Sequence, residues 1–192
     1  MKKFLTLGLF ILCVSCGSHR ESASDRAAND QMATSNVSAE ELYQQGNRYA
    51  QGKGVKKNYT TAVEYYRRAA EMGNSNAQDK LGVRYLLGQG VPQNVEMAHH
   101  WFEKAAAQGN AYAENELGYM YAAGKGVPQD YKTAIDWYQK AADHGLASAQ
   151  YNLGLMYANG IGTPVDKVKA KQLFQLAAAR GFNPARKALA NT

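Results

Sequence analysis

His99, His100 and Glu103 are the residues whose types could hold a metal or move a proton. Neighbouring residues on a helix point to different faces, so His99 and His100 cannot share one ion. His99 and Glu103 do share a face, but a metal needs three or four ligands and none follows nearby. His19 and His144 are remote in sequence. Acyl transfer would need a nucleophile with its base and orienting group, and phosphate binding a glycine-rich loop carrying Lys-Ser/Thr; neither pattern occurs. The G-x-G pairs at Gly52, Gly88, Gly124 and Gly160 recur at a fixed interval and read as turns. The residues therefore predict no catalytic centre, no metal site and no cofactor.

Covalent chemistry is suggested only at the start of the chain. "MKKFLTLGLFILCVSC" places Lys2 and Lys3 before an apolar run, Phe4–Leu12, that is too short to cross a bilayer. Its last residues resemble a bacterial lipobox. Residues 1–15 then read as a lipoprotein signal peptide, cut before Cys16, whose thiol is lipidated and anchors the chain to a membrane. An ordinary secretory signal cut nearby is the alternative, since Cys13 stands where the lipobox usually has Leu. Gly17 lacks the Asp that often retains lipoproteins at the inner membrane. The expected location is therefore the periplasmic face of the outer membrane, with a soluble periplasmic or secreted form as the alternative. Both cysteines lie in this segment, so the mature chain has no internal disulfide and must hold together by packing.

Setting aside Lys2 and Lys3 takes two from the 22 basic residues, against 16 acidic ones, and leaves a net charge of about +4. That is too small and too dispersed to argue for nucleic acid. Residues 16–38 hold Ser, Ala, Asn and Asp with no aromatic residue, and read as a flexible tether after the lipidated cysteine.

From Ala39 the chain repeats every 36 residues: 39–74, 75–110, 111–146 and 147–182. Gly46, Gly82, Gly118 and Gly154 fall in register. So do Tyr49, Tyr85, Tyr121 and Tyr157, and then Tyr66, Phe102, Tyr138 and Phe174. Such a period marks a solenoid whose units complete their cores only by stacking. Each unit reads as two helices, A and B. In the second unit Ala77, Leu81 and Tyr85 step by four and share one face of helix A. Gly82 beside them is expected to let a neighbouring backbone approach. "GQGVPQN" and "GKGVPQD" supply a left-handed stop, a reversal, a proline that cannot continue the helix, and an N-cap at Asn94 or Asp130. Asn58 and Asp166 should cap likewise. Helix B should bury Ala98, Trp101, Phe102 and Ala105, and turn Glu103 and Lys104 outward.

The pattern A-x-x-x-L-G-x-x-Y-x-x-G-x-G-V-P-x-D…A-x-x-W-Y-x-K-A-A-x-x-G resembles the Sel-one-like repeat (SLR), a relative of the tetratricopeptide repeat. The resemblance implies an all-α fold: an α-solenoid (right-handed superhelix) of four 36-residue helix-turn-helix repeats plus a C-terminal capping helix at 183–192. Glu41 and Gln45 of the first unit stand where later units carry packing residues, as befits an end, and Arg186 and Lys187 of "NPARKALA" should face water.

Helix A lines the concave side in the family this chain resembles. Carrying over the tetratricopeptide groove positions gives Glu40, Tyr43, Asn47 and Ala50; Asn76, Asp79, Val83 and Leu86; Tyr112, Asn115, Tyr119 and Ala122; Ser148, Tyr151, Leu155 and Ala158. Tyr43, Asn47, Asp79, Tyr112, Asn115, Tyr119 and Tyr151 are the candidate partner-binding residues. Tyrosine offers rigid apolar area with a polar tip, and Asn can clasp an extended backbone through both amide atoms. The same tyrosines could instead merely close the inner wall. The last unit and cap carry Lys167, Lys169, Lys171, Arg180, Arg186 and Lys187, which form a solvated basic face or meet an acidic or phosphate-bearing partner. The expectation is a non-enzymatic adaptor or scaffold of the bacterial cell envelope that binds another envelope, secreted or host protein or peptide in its groove. A peptidoglycan or polysaccharide binding module is the alternative.

Overall fold

A computed structural model describes residues 37–190. The chain divides into units Met1–Val37 and Ser38–Thr192, and the second is described here. The expected signal peptide, Cys16 and the expected tether up to residue 36 lie outside the described residues. Among the described residues there are nine helices and no strand: α1 (Ala39–Gln51), α2 (Tyr59–Glu71), α3 (Ser75–Leu87), α4 (Val95–Ala106), α5 (Ala111–Ala123), α6 (Tyr131–Asp143), α7 (Ala147–Asn159), α8 (Lys167–Ala179) and α9 (Asn183–Ala190). Each packs on its neighbours in sequence. The fold is an all-α solenoid of four helix-turn-helix repeats closed by a C-terminal helix.

The seven-residue turn works as its residue types dictate. Gly88 ends α3 in the left-handed region (φ 66°) and donates its N–H to Arg84 O. The N–H of Asn94 then reaches back to Tyr85 O at 3.0 Å, and the Asn94 side chain accepts from Met97 N at 2.8 Å to start α4. Asn58, Asp130 and Asp166 cap the other B helices in the same way. The second glycine has a duty beyond the reversal. At Gly90 (φ 80°) an added Cβ would lie 2.3 Å from Tyr59 O, so this turn is docked on the repeat before it. Gly54, with no repeat before it, meets only Arg48 at 3.8 Å.

Gly82 is explained differently from the sequence expectation. The nearest atoms are those of a ring and not a backbone: its missing Cβ leaves room for Phe102 of the same repeat, 2.7 Å from where the Cβ would stand. Gly46 on Tyr66, Gly118 on Tyr138 and Gly154 on Phe174 repeat the contact at 2.5 to 2.6 Å. Around these rings lie the shared cores. Phe102, Leu117 and Met120 join the second repeat to the third, and Tyr138, Leu153 and Leu173 the third to the fourth. Phe174, Ala177 and Ala185 seat α9.

The ends differ as ends should. Ser38, placed in the tether by composition, is the N-cap of α1 and forms a capping box with Glu41. Glu41 thus replaces a packing residue with a capping one. At the other end Ala185 is buried while Arg186 and Lys187 are exposed.

Gly118→Ala sets two effects against each other. Helix propensity would favour Ala by ~1 kcal/mol, while overpacking a core costs ~1–3 kcal/mol. With Tyr138 Cδ1 2.6 Å from the new methyl, overpacking is expected to win. Chemical denaturation should show a net loss of up to ~2 kcal/mol; a gain would refute the ring-on-glycine contact.

Candidate functional site

Helix A of each repeat (α1, α3, α5, α7) carries the candidate residues, and their environments diverge. Tyr112 and Tyr119 are open to solvent, at 59% and 43% exposure, seven residues apart on one face of α5. The Lys80 ammonium lies 5.5 Å from the Tyr112 ring and the Lys125 ammonium 6.0 Å from that of Tyr119. Tyr43 is half-buried and tilts against Tyr66, with ring centres 6.1 Å apart. Asn47 is engaged: its Oδ1 accepts from the Tyr66 hydroxyl at 2.8 Å. Burial pushes the Tyr66 phenol up to about 12, so it remains a donor at neutral pH.

Asp79 does not face an open channel. It is 2% exposed; Oδ2 pairs with Lys80 Nζ at 2.9 Å, and Oδ1 has no hydrogen-bond partner. Asn115 Oδ1 accepts from Asn152 Nδ2 at 3.0 Å. Tyr151 is half-buried under the C-terminal helix, against Phe174 (5.7 Å) and Phe182 (5.4 Å). The fold therefore leaves Tyr112 and Tyr119 open and Tyr43 half-buried, buries Asp79 against Lys80, and commits Asn47, Asn115 and Tyr151 to internal contacts.

A row of residues missed by the sequence reading runs beside them. Asn115 pairs with Asn152, 37 positions on, and the same step relates Asp79 to Glu116 and Tyr43 to Lys80, which interact electrostatically. Gln44, Lys80, Glu116 and Asn152 stand in register and are polar in every repeat. That in-register polarity was a usable signal; the carried-over groove positions skip it because they name one side of the seam between adjacent A helices.

Charge on this seam is poorly solvated. Burial holds the Asp79 carboxyl above the usual carboxylate range, although Lys80 and Arg84 pull it down. Burial and then the Asp79 charge do the same to Glu116. For Lys80 burial disfavours the ammonium, but Asp79 together with Tyr43 and Tyr112 outweighs it and the pKa rises. The floor between the open tyrosines thus combines two carboxylates and one ammonium at reduced solvation, which strengthens hydrogen bonds made there.

Adjacent repeats are also pinned through buried polar side chains. Gln78 Nε2 donates to Ala70 O and Gln150 Nε2 to Ala142 O, each satisfying a carbonyl at the end of the preceding B helix. Glu114 holds the equivalent place and cannot donate when ionised; it pairs instead with His144 Nδ1 at 2.8 Å. His99 Nδ1 lies 3.4 Å from Glu103 Oε2 with its ring edge-on to Tyr121, and His100 is edge-on to Trp101. Among the described residues no three His, Cys, Asp or Glu side chains converge as a metal site needs, and no helix is long and apolar enough to cross a membrane.

The Sel1 repeat profile matches residues 39–74, 75–110, 111–146 and 147–182. The chain belongs to the Sel1 repeat family. A Sel1 repeat protein from Oxalobacter formigenes is similar at 33% identity and TM-score 0.77, over 86% of this chain and 71% of that one. The protective antigen c5321 of uropathogenic Escherichia coli, described as displaying an SLR fold, is 34% identical with TM-score 0.76. The match covers 86% of this chain but spans only about a third (34%) of the antigen's length. No curated protein matches the chain. Sel1 repeat solenoids are generally protein-interaction scaffolds, typically without enzymatic activity.

Glu116→Gln should raise Tm at pH 7. A carboxyl whose folded pKa is raised stabilises the fold while protonated, and that contribution is lost as pH rises through the folded value. The gain from Gln should therefore shrink as pH falls towards ~4, the ordinary Glu value. Melts from pH 3.5 to 7.5 check this; a gain that is constant or grows in acid would contradict the assigned desolvation.

Proposed function

We propose that this Sel1 repeat chain is a non-enzymatic adaptor of the bacterial cell envelope, holding a partner protein or extended peptide against its helix-A wall. The observation that carries the reading is the pair of open rings, Tyr112 and Tyr119, beside the Asp79–Lys80–Glu116 floor. Tyr66 and Tyr138, by contrast, are used in packing. Exposed tyrosines supply contact area at small entropic cost, and charged groups at reduced solvation supply specificity. Asn115 and Asn152 already bond each other, so a partner's backbone would exchange for that bond rather than meet idle amides. The partner would be an envelope, secreted or host protein.

The anchor belongs to the same proposal. Lipidation of Cys16 would hold the wall close to the periplasmic face of the outer membrane, so partner and scaffold would meet at a membrane surface. In a Gram-negative host, Cys16→Ala should move the protein from the membrane to the soluble periplasmic fraction; an unchanged distribution would reject the anchor.

Photocrosslinking from exposed Ala123, one turn beyond Tyr119 on α5, should attach one defined protein in living cells. Tyr112→Ala with Tyr119→Ala should abolish that capture at nearly unchanged stability, because exposed substitutions cost within about 0.5 kcal/mol. Retention on purified peptidoglycan sacculi, lost with the same double substitution, would replace the protein partner with a glycan.

A further inference from the structure

Aliphatic side chains stand on the outside of the fourth repeat where the other repeats are polar. Val168 occupies the place of Thr60, Glu96 and Lys132, and Leu176 that of Arg68, Lys104 and Lys140. Val165 replaces Lys57, Gln93 and Gln129, and Ile161 replaces Lys53, Gln89 and Lys125. All four are exposed, Val168 at 71%, Val165 at 58% and Leu176 at 52%. They are not displaced core residues, since α8 already buries Ala170, Leu173, Phe174 and Ala177. The three preceding repeats act as internal controls, and show that a polar residue fits each position.

The two valines adjoin. Val165 and Val168 border one depression with Pro164 and Tyr157; Val168 also borders the next, of about 280 Å³, with Lys167, Lys171, Gln172 and Gln175. Leu176 lies eight residues beyond Val168, just over two turns along α8. The rim is positive. Helix α8 carries three lysines and no acid, and Asp166 is committed to capping Lys169 N at 2.9 Å. Lys169 itself bonds the Tyr157 hydroxyl at 2.7 Å, which leaves Lys167 and Lys171 as the lysines lining the depression.

We propose that this face is a second docking surface, for a protein segment that presents aliphatic side chains flanked by carboxylates. Charge complementarity selects that occupant. A second copy paired about a twofold axis would gather its own lysines against these. Residues 17–38 of this chain offer only Met32 and Val37 as large apolar groups. Helices that lie in a lipid surface carry a broad face of Trp, Phe and Leu, whereas Leu176 is the one residue of that set in this patch. The surface is separate from the helix-A wall and does not depend on it, so the scaffold could hold two partners at once.

The test uses the chain as it stands and a synthetic helical peptide with leucines on one face and glutamates on the other. Titration should give saturable binding that weakens with salt and is absent for the matching leucine–lysine peptide. V168K with L176K, which installs lysines that earlier repeats carry, should weaken binding at least tenfold with an unchanged circular-dichroism melt. K167E with K171E should do the same, and Y119A should leave it intact. Equal binding by wild type and V168K/L176K overturns the proposal. So does a V168K/L176K-sensitive attachment to phosphatidylglycerol–phosphatidylcholine vesicles without peptide binding, which would mean a lipid surface. A concentration-dependent dimer abolished by the same variant would mean a second copy, and would overturn it as well.

Discussion

In every repeat an aromatic ring of helix B rests on a glycine of helix A, closer than any side-chain carbon would allow. The contact sets how near the two helices lie and where the ring's edge points. The neighbouring repeat then closes over the remaining apolar surface, because a single helix pair is too small to bury its own face. From that constraint follow the small residues around each ring: Ala98 and Ala105 beside Phe102, Ala134 and Ala141 beside Tyr138. It also follows that the turns can be nearly identical. Each must return the chain to the same ring-on-glycine distance, and the first glycine, the N-cap and the bond from the cap to helix A do so with few residues.

A core satisfied in this way leaves the rest of helix A free to differ. Positions on the seam between adjacent A helices are released from packing, and there the chain places its unusual chemistry. A carboxylate buried with one unpartnered oxygen works against stability. Its neighbours are a half-buried carboxylate and an ammonium, with two open tyrosines alongside. Groups held at such cost in an otherwise repetitive scaffold are the sort of departure that recognition sites show. The outer face of the last repeat departs in the opposite sense, with aliphatic groups where water would be better met by polar ones.

Much of the fold was legible because its signals are periodic. The 36-residue spacing, the in-register glycines and aromatics, and the Asn or Asp at each B-helix start follow from backbone rules that hold wherever the pattern occurs. The partner of Gly82 was not legible. A glycine shows that something comes close without saying whether it is a backbone or a ring. The wall was partly legible. Tyr112 and Tyr119 lie open as their periodicity allows, whereas Asp79, Asn47 and Tyr151 sit on the same kind of position and are consumed by Lys80, Tyr66 and the phenylalanines around α9.

By itself the sequence determined that there are four equivalent helical hairpins, where each turns, and which residues form their common core, because these depend on local conformation and on a period that repeats along the chain. Only the tertiary structure decided which wall residues remain available, because availability depends on contacts between residues some 20 to 40 positions apart. The Asn115–Asn152 bond and the Tyr66–Asn47 bond are two such contacts. No rule of spacing within one helix specifies what the next helix will bring against it.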